Sequence, residues 1–149
     1  MKTLTTTILA LVIVLSFGAA KADGSNNTVN SNNANAKLSV DYAINTYVNA
    51  VTMGDVKDVN NILADNLKYS IEGSNKKMVY NKEQTYLAFL EDADTIQDCI
   101  TTTTVNNPTP DIAVVKVEMQ YVDCIRTNYV TMSNTTQGWK VTNIYSTFK

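Results

Sequence analysis

Between Val40 and Val51 the larger apolar residues fall at Val40, Ala43, Ile44, Tyr47, Val48 and Val51. Intervals of three and four put them on one face of a helix. Ser39 stands where a hydroxyl caps a first turn, and Gly54 where a helix ends on a left-handed residue. Asp55 then opens a second short helix carrying Val56, Val59, Ile62 and Leu63. A strand over 67–71, a turn at Glu72-Gly73-Ser74-Asn75 and a strand over 77–80 read as a hairpin. Asn81 followed by Gln84 has the form of a capping box, and Tyr86, Leu87, Phe89 and Leu90 supply the buried side of a third helix.

After Asp94 the period changes to two. A β-branched run covers 95–105, Asn106-Asn107-Pro108-Thr109-Pro110 interrupts it, and a strand over 112–121 places Ala113, Val115, Val117, Met119 and Tyr121 on one face. Lys116, Glu118 and Gln120 take the other face. Strands over 125–133 and 139–148 follow, separated by Asn134-Thr135-Thr136-Gln137-Gly138. Helices first and long strands afterwards predict an α+β fold, three N-terminal helices packed on one face of a strongly bent antiparallel sheet.

The front of the chain is of another kind. Residues 1–22 hold an early Lys2, an unbroken apolar run from Ile8 to Leu15 and the closing triplet Ala20-Lys21-Ala22, the layout of a signal peptide cleaved before Asp23. The apolar run is shorter than the ~20 residues of a membrane span, so no stable membrane insertion is expected after cleavage. Residues 23–37 contain six Asn among fifteen positions and one aliphatic side chain larger than Ala, Val29. Such a segment buries too little to fold and reads as a disordered linker. The expected organisation is a leader over 1–22, a linker over 23–37 and one domain over 38–149, exported to the periplasm or the outside.

Composition removes several functions. The 149 residues contain no His, which excludes imidazole metal sites and His-based nucleophile pairs. Cys99 and Cys124 are too few for a thiolate zinc site, and no metal or cofactor motif is present. The formal charge of −2, or −4 once Lys2 and Lys21 leave with the leader, offers no electrostatic footprint for nucleic acid.

The order of elements and particular residues resemble the nuclear transport factor 2-like (NTF2-like) superfamily and, within it, the family named "Putative lumazine-binding". The residues that carry the likeness are Tyr47-Val48-Asn49-Ala50 with Gly54-Asp55, Leu63-Ala64-Asp65-Asn66-Leu67, Ala113-Val114-Val115-Lys116-Val117, and Gly138-Trp139-Lys140-Val141-Thr142-Asn143. The resemblance covers 38–149. It implies a cone-shaped sheet wrapped on helices, often dimeric, whose open end holds a small apolar molecule. Because the superfamily spans isomerases, dehydratases, hydrolases and adaptors, the fold does not choose among them.

Candidate chemistry rests on few residues. If the hairpin pairs Val105 with Ile112, counting sets Asp98 opposite Met119 on the helix-facing side, where an apolar surround raises a carboxyl pKa and suits it to general-base work. Tyr47, Tyr69, Tyr86 and Tyr121 are its candidate hydroxyl partners, and ketosteroid isomerases of the superfamily pair tyrosine with aspartates. Met119 and Trp139 are expected to line the pocket with those tyrosines, and Tyr145 shares parity with Trp139 and Val141. Arg126 is the single arginine. Its planar fork suits a ligand carboxylate or phosphate, while its place on a strand after Asp123 suits a surface pair. The same counting separates Cys99 from Cys124 by about 20 Å and favours free thiols, whereas export favours a bond. Two functions follow: an exported small-molecule-binding or interaction module without a catalytic set, with the sheet as the surface for a homodimer, or a small isomerase or dehydratase using Asp98 as base.

Overall fold

The computed structural model describes residues 39–73 and 76–149. The leader and the Asn-rich linker read from the sequence lie outside the described residues. Helix α1 spans Val40–Met53 and helix α2 Val59–Ile62; strands β1, Leu63–Glu72, and β2, Lys77–Tyr80, follow. Helix α3 spans Lys82–Glu91, and strands β3 to β6 run Ile100–Thr109, Ile112–Gln120, Ile125–Thr135 and Gly138–Phe148. The six strands form one sheet in the order β2-β1-β6-β5-β4-β3. Its pairs are antiparallel except β1 with β6, which run parallel. The sheet is therefore mixed rather than wholly antiparallel: α2 and β1 return the chain to lie beside the last strand.

The capping residues act as their chemistry requires. Ser39 Oγ accepts a hydrogen bond from the Tyr42 amide at 3.1 Å. Asn81 and Gln84 satisfy each other's backbone N–H groups at 2.9 and 3.0 Å. Helix α1 buries Ala43, Ile44, Tyr47, Ala50 and Val51 against the sheet, whose β4 presents Ala113, Val115, Val117 and Met119, all 0 % exposed. Each larger side chain of that row gains about 1.5–3 kcal/mol from leaving water. The opposite face of β4 is wet, with Lys116 and Glu118 ion-paired at 2.7 Å.

Several expectations are corrected. Leu63 leaves the second helix and begins β1, where it pairs with Val141. In α3 it is Thr85 and Phe89, one turn apart, that face inward, while Leu87 and Leu90 are exposed. The β-branched run does not form a strand over 95–99, because its backbone is committed to the end of α1. The Asp94 amide donates to the Gly54 carbonyl at 2.9 Å and the Gln97 amide to the Thr52 carbonyl at 2.8 Å. Strand β3 starts only at Ile100 and continues through Thr109, an edge position at which Pro108 is tolerated. Val105 pairs with Val115 rather than Ile112, a shift of three residues that exchanges the faces of the whole strand.

Gly54 is the hinge of this arrangement. It ends α1 with φ +66°, and a Cβ there would lie 2.5 Å from the Thr95 N and 2.6 Å from both Asp92 O and Asp94 N. Gly54→Ala is expected to lower the unfolding free energy by at least about 1–3 kcal/mol. A urea melt gives the value, and an unchanged midpoint would contradict the close approach of α1 to the 92–97 loop.

Candidate functional site: a cavity between the helices and the sheet

A cavity of about 230 Å³ lies between the inner face of the sheet and helices α1 and α3. Tyr47, Ala50 and Val51 of α1 and Thr85, Ala88 and Phe89 of α3 form one wall, and Tyr69, Ile71 and Tyr80 form the other. Arg126 of β5 and Phe148 of β6 complete it, with Asp92 from the turn after α3. The aromatic rings are set against one another: Tyr47 meets Phe89 edge-on at 6.2 Å, and Tyr69 meets Tyr80 at 5.8 Å.

The polar part of the cavity is built by sheet register. Arg126 pairs with Phe148, and Asn128 with Ser146. Arg126 Nη2 donates to Tyr69 Oη at 2.9 Å and Nε to Asn128 Oδ1 at 3.2 Å. Ser146 Oγ lies 3.3 Å from Tyr69 Oη and 2.5 Å from Asn128 Oδ1. The amide oxygen only accepts, so Ser146 gives its proton to Asn128 and takes that of Tyr69. Tyr69 Oη, Ser146 and Asn128 Oδ1 thereby form a continuous chain that holds Arg126 along one edge of its guanidinium.

Two features of this network remain open. Asn128 is 0 % exposed, yet its Nδ2 has no partner. The Tyr47 phenol is close enough to feel the Asn128 amide, but no hydrogen bond of ordinary geometry joins them. Arg126 makes no ion pair among the described residues; its charged-group neighbours are the phenols of Tyr69, Tyr47 and Tyr121. Phe148 stacks beside it, 5.9 Å from the guanidinium carbon to the ring centroid.

The cavity brings together two of the tyrosines expected from the sequence, Tyr47 and Tyr69. The others are elsewhere. Asp98 is exposed in the segment before β3, and Thr101 takes the place opposite Met119, so Asp98 lacks the apolar surround expected of it. Met119 is wholly buried core. Tyr86 borders a surface groove with Asp65 and Lys82. Tyr121 is not part of the cavity wall; it donates to Gln97 Oε1 at 3.0 Å, and its oxygen is also within reach of the Arg126 guanidinium. Trp139 pairs with Asn134 at the far end of β5 and β6 from Arg126. Nearer the cavity a bulge at Thr142 interrupts β6: Met132 pairs with Val141 but Thr131 with Asn143. Beyond it the buried parity changes to Ile144 and Ser146, which turns Tyr145 away and brings Phe148 to the cavity. Arg126 is half-buried in this wall rather than a surface partner of Asp123. Its signal in the sequence was its parity with Asn128, Val130 and Met132. Both cysteines are free thiols, with Cys99 Sγ 3.5 Å from Thr101 Oγ1.

Comparison with known proteins agrees with this architecture. Residues 35–146 match the family model described as "Putative lumazine-binding". No curated protein matches the chain. Among solved structures, an NTF2-like protein of unknown function from Silicibacter pomeroyi is 17% identical with a TM-score of 0.61, covering 82% of this chain and 100% of its own. One from Shewanella baltica is 9% identical with a TM-score of 0.61, covering 83% and 98%. A ketosteroid isomerase-like protein from Erwinia carotovora is 16% identical with a TM-score of 0.55, covering 76% and 97%. These likenesses establish the fold.

Burial holds the Tyr47 phenol well above its ordinary pKa; an ionised Tyr69 adds to this, and Arg126 and Asn128 pull the other way. In the unfolded chain a tyrosine ionises near pH ~10. The stability that Tyr47 contributes is therefore complete below pH ~10 and is lost as pH rises from there toward the higher folded value. Tyr47→Phe should make the fall of the urea midpoint between about pH 9 and 11 shallower. An equal alkaline slope in both proteins would contradict the burial of this phenol. The chain belongs to the family described as "Putative lumazine-binding", on the NTF2-like fold.

Proposed function

We propose that this protein is an exported binding module that takes one small, flat, largely apolar molecule into the cavity between α1, α3 and the sheet. The observation that carries the reading is the cavity itself, about 230 Å³ and walled by aromatic and small side chains. It is about half as large again as the ~150 Å³ apolar cavity that accepts benzene, so a substituted ring or a compact bicycle is of suitable size. The family description points to lumazine, a flat bicycle of that class. Ring faces supply the contact area, and the few polar groups orient the guest. Among the described residues Asp92 is the only carboxylate on the wall, and it is exposed, which favours holding a ligand over proton transfer from a buried acid.

Ala88 is half-buried on the cavity wall, where a larger side chain projects into the space instead of into packed core. Titration calorimetry with 2-naphthol and with lumazine is expected to detect binding to the wild type. In Ala88→Phe that binding should be lost, with the thermal midpoint unchanged or raised. Undiminished binding by the filled variant would remove this cavity as the site.

Export is supported by the charged, apolar and small-residue order of residues 1–22. The protein recovered from its native compartment should begin at Asp23 in an intact-mass measurement. A mass that includes 1–22 would contradict the export reading.

A further inference from the structure

We infer that the molecule held in the cavity carries an anionic group, most simply a carboxylate, and that Arg126 is the residue that selects it. The inference rests on the binding role proposed above and specifies the class of ligand. It stands on the unspent hydrogen-bonding capacity of one side chain.

A guanidinium has five N–H groups. In Arg126, Nε–H is used by Asn128 Oδ1 and one Nη2–H by Tyr69 Oη, and the Tyr121 oxygen lies within reach of a third N–H, leaving the remainder of the fork without a protein acceptor. Those two bonds fix the plane of the fork, and the side chain forms part of the cavity wall. The positive charge is thus presented by a pre-positioned donor set, the arrangement that recognises a carboxylate through two parallel hydrogen bonds.

The charge balance points the same way. Among the described residues no carboxylate lies within ion-pair distance of Arg126, although the group is half-buried amid three phenols and the Phe148 ring. A cation drawn from water without a counter-charge is costly, and an anion arriving in the cavity removes that cost. A neutral ligand leaves it in place. The fully buried Asn128 Nδ2, beside Tyr47, is a further donor without a partner in the same polar cluster. Two unmatched donors in a polar cluster that holds no acid make it complementary to an acceptor-rich group, and the one carboxylate on the wall, Asp92, is exposed to solvent.

The test uses two probes of equal ring size, 2-naphthoate and its uncharged isostere 2-naphthamide, on the full mature protein. The wild type should bind the carboxylate about tenfold or more tightly than the amide, the range expected for hydrogen bonds to a charged group in a sheltered site. Arg126→Gln should reduce that ratio to near one. Because Arg126 is the sole arginine, the protein has a single guanidinium Nε–H resonance, which reports on the site without any substitution. That resonance should shift on adding 2-naphthoate, and less with 2-naphthamide. Equal affinities of the wild type for the two probes would overturn the charge selection while 2-naphthol binding still upholds the cavity. Failure of all three to bind would overturn both readings. If Arg126→Gln does not fold, the wild-type affinity ratio and the Nε–H shift decide the matter alone.

Discussion

The arrangement on which the rest of this structure depends is the double tether of Arg126. One nitrogen of its fork is tied to Tyr69 on β1 and another to Asn128 on its own strand. Ser146 on β6 joins the two acceptors, so three strands meet at one polar point on an otherwise apolar face. A lone arginine in such a place would swing to solvent to recover its hydration. Here the tethers hold it inward, and each hydrogen bond to the charged group contributes about 1.5–3 kcal/mol toward doing so. The consequence is a cavity whose wall is greasy and whose one strong electrostatic feature is fixed in orientation.

Two backbone devices make room for it. The bulge at Thr142 changes the parity of β6 midway along the strand, so that Val141 serves the core beneath α1 while Ser146 and Phe148 serve the cavity. The left-handed Gly54 lets the end of α1 meet the 92–97 loop backbone to backbone, and the loop in turn answers the last carbonyls of the helix. Without the first, the acceptors of Arg126 would not face it. Without the second, Tyr47 and Ala50 would have no fixed distance from Phe89 and Asp92 across the opening. Fold and site are therefore coupled through exceptions to regular geometry rather than through the regular elements.

That coupling explains what could be read from the sequence. The α1 stripe, the caps at Ser39 and Asn81, the left-handed Gly54 and the alternation of β4 depend on local rules, and each is found where those rules place it. The parallel return of β1 beside β6, the register of β3 and the bulge depend on tertiary pairing, to which single-strand periodicity is blind. Asp98 lies elsewhere than its periodicity puts it, because a β-branched run looks like strand whether its backbone pairs with a strand or with a helix end. Tyr47 and Tyr69 sat on well-patterned elements and were legible. Arg126 was visible only as one member of a mixed alternation in which Ile125, Tyr129 and Val130 do not favour a single face.

The most direct measurement of the central claim is hydrogen exchange at the Arg126 Nε–H in ligand-free protein. If this group is bonded to Asn128 and sheltered beneath α1 and α3, its exchange should be at least about tenfold slower than in the urea-unfolded chain, since opening requires breaking a bond to a charged donor. Exchange as fast as in the unfolded chain would mean that the guanidinium spends its time in water, and the account of the cavity would be wrong.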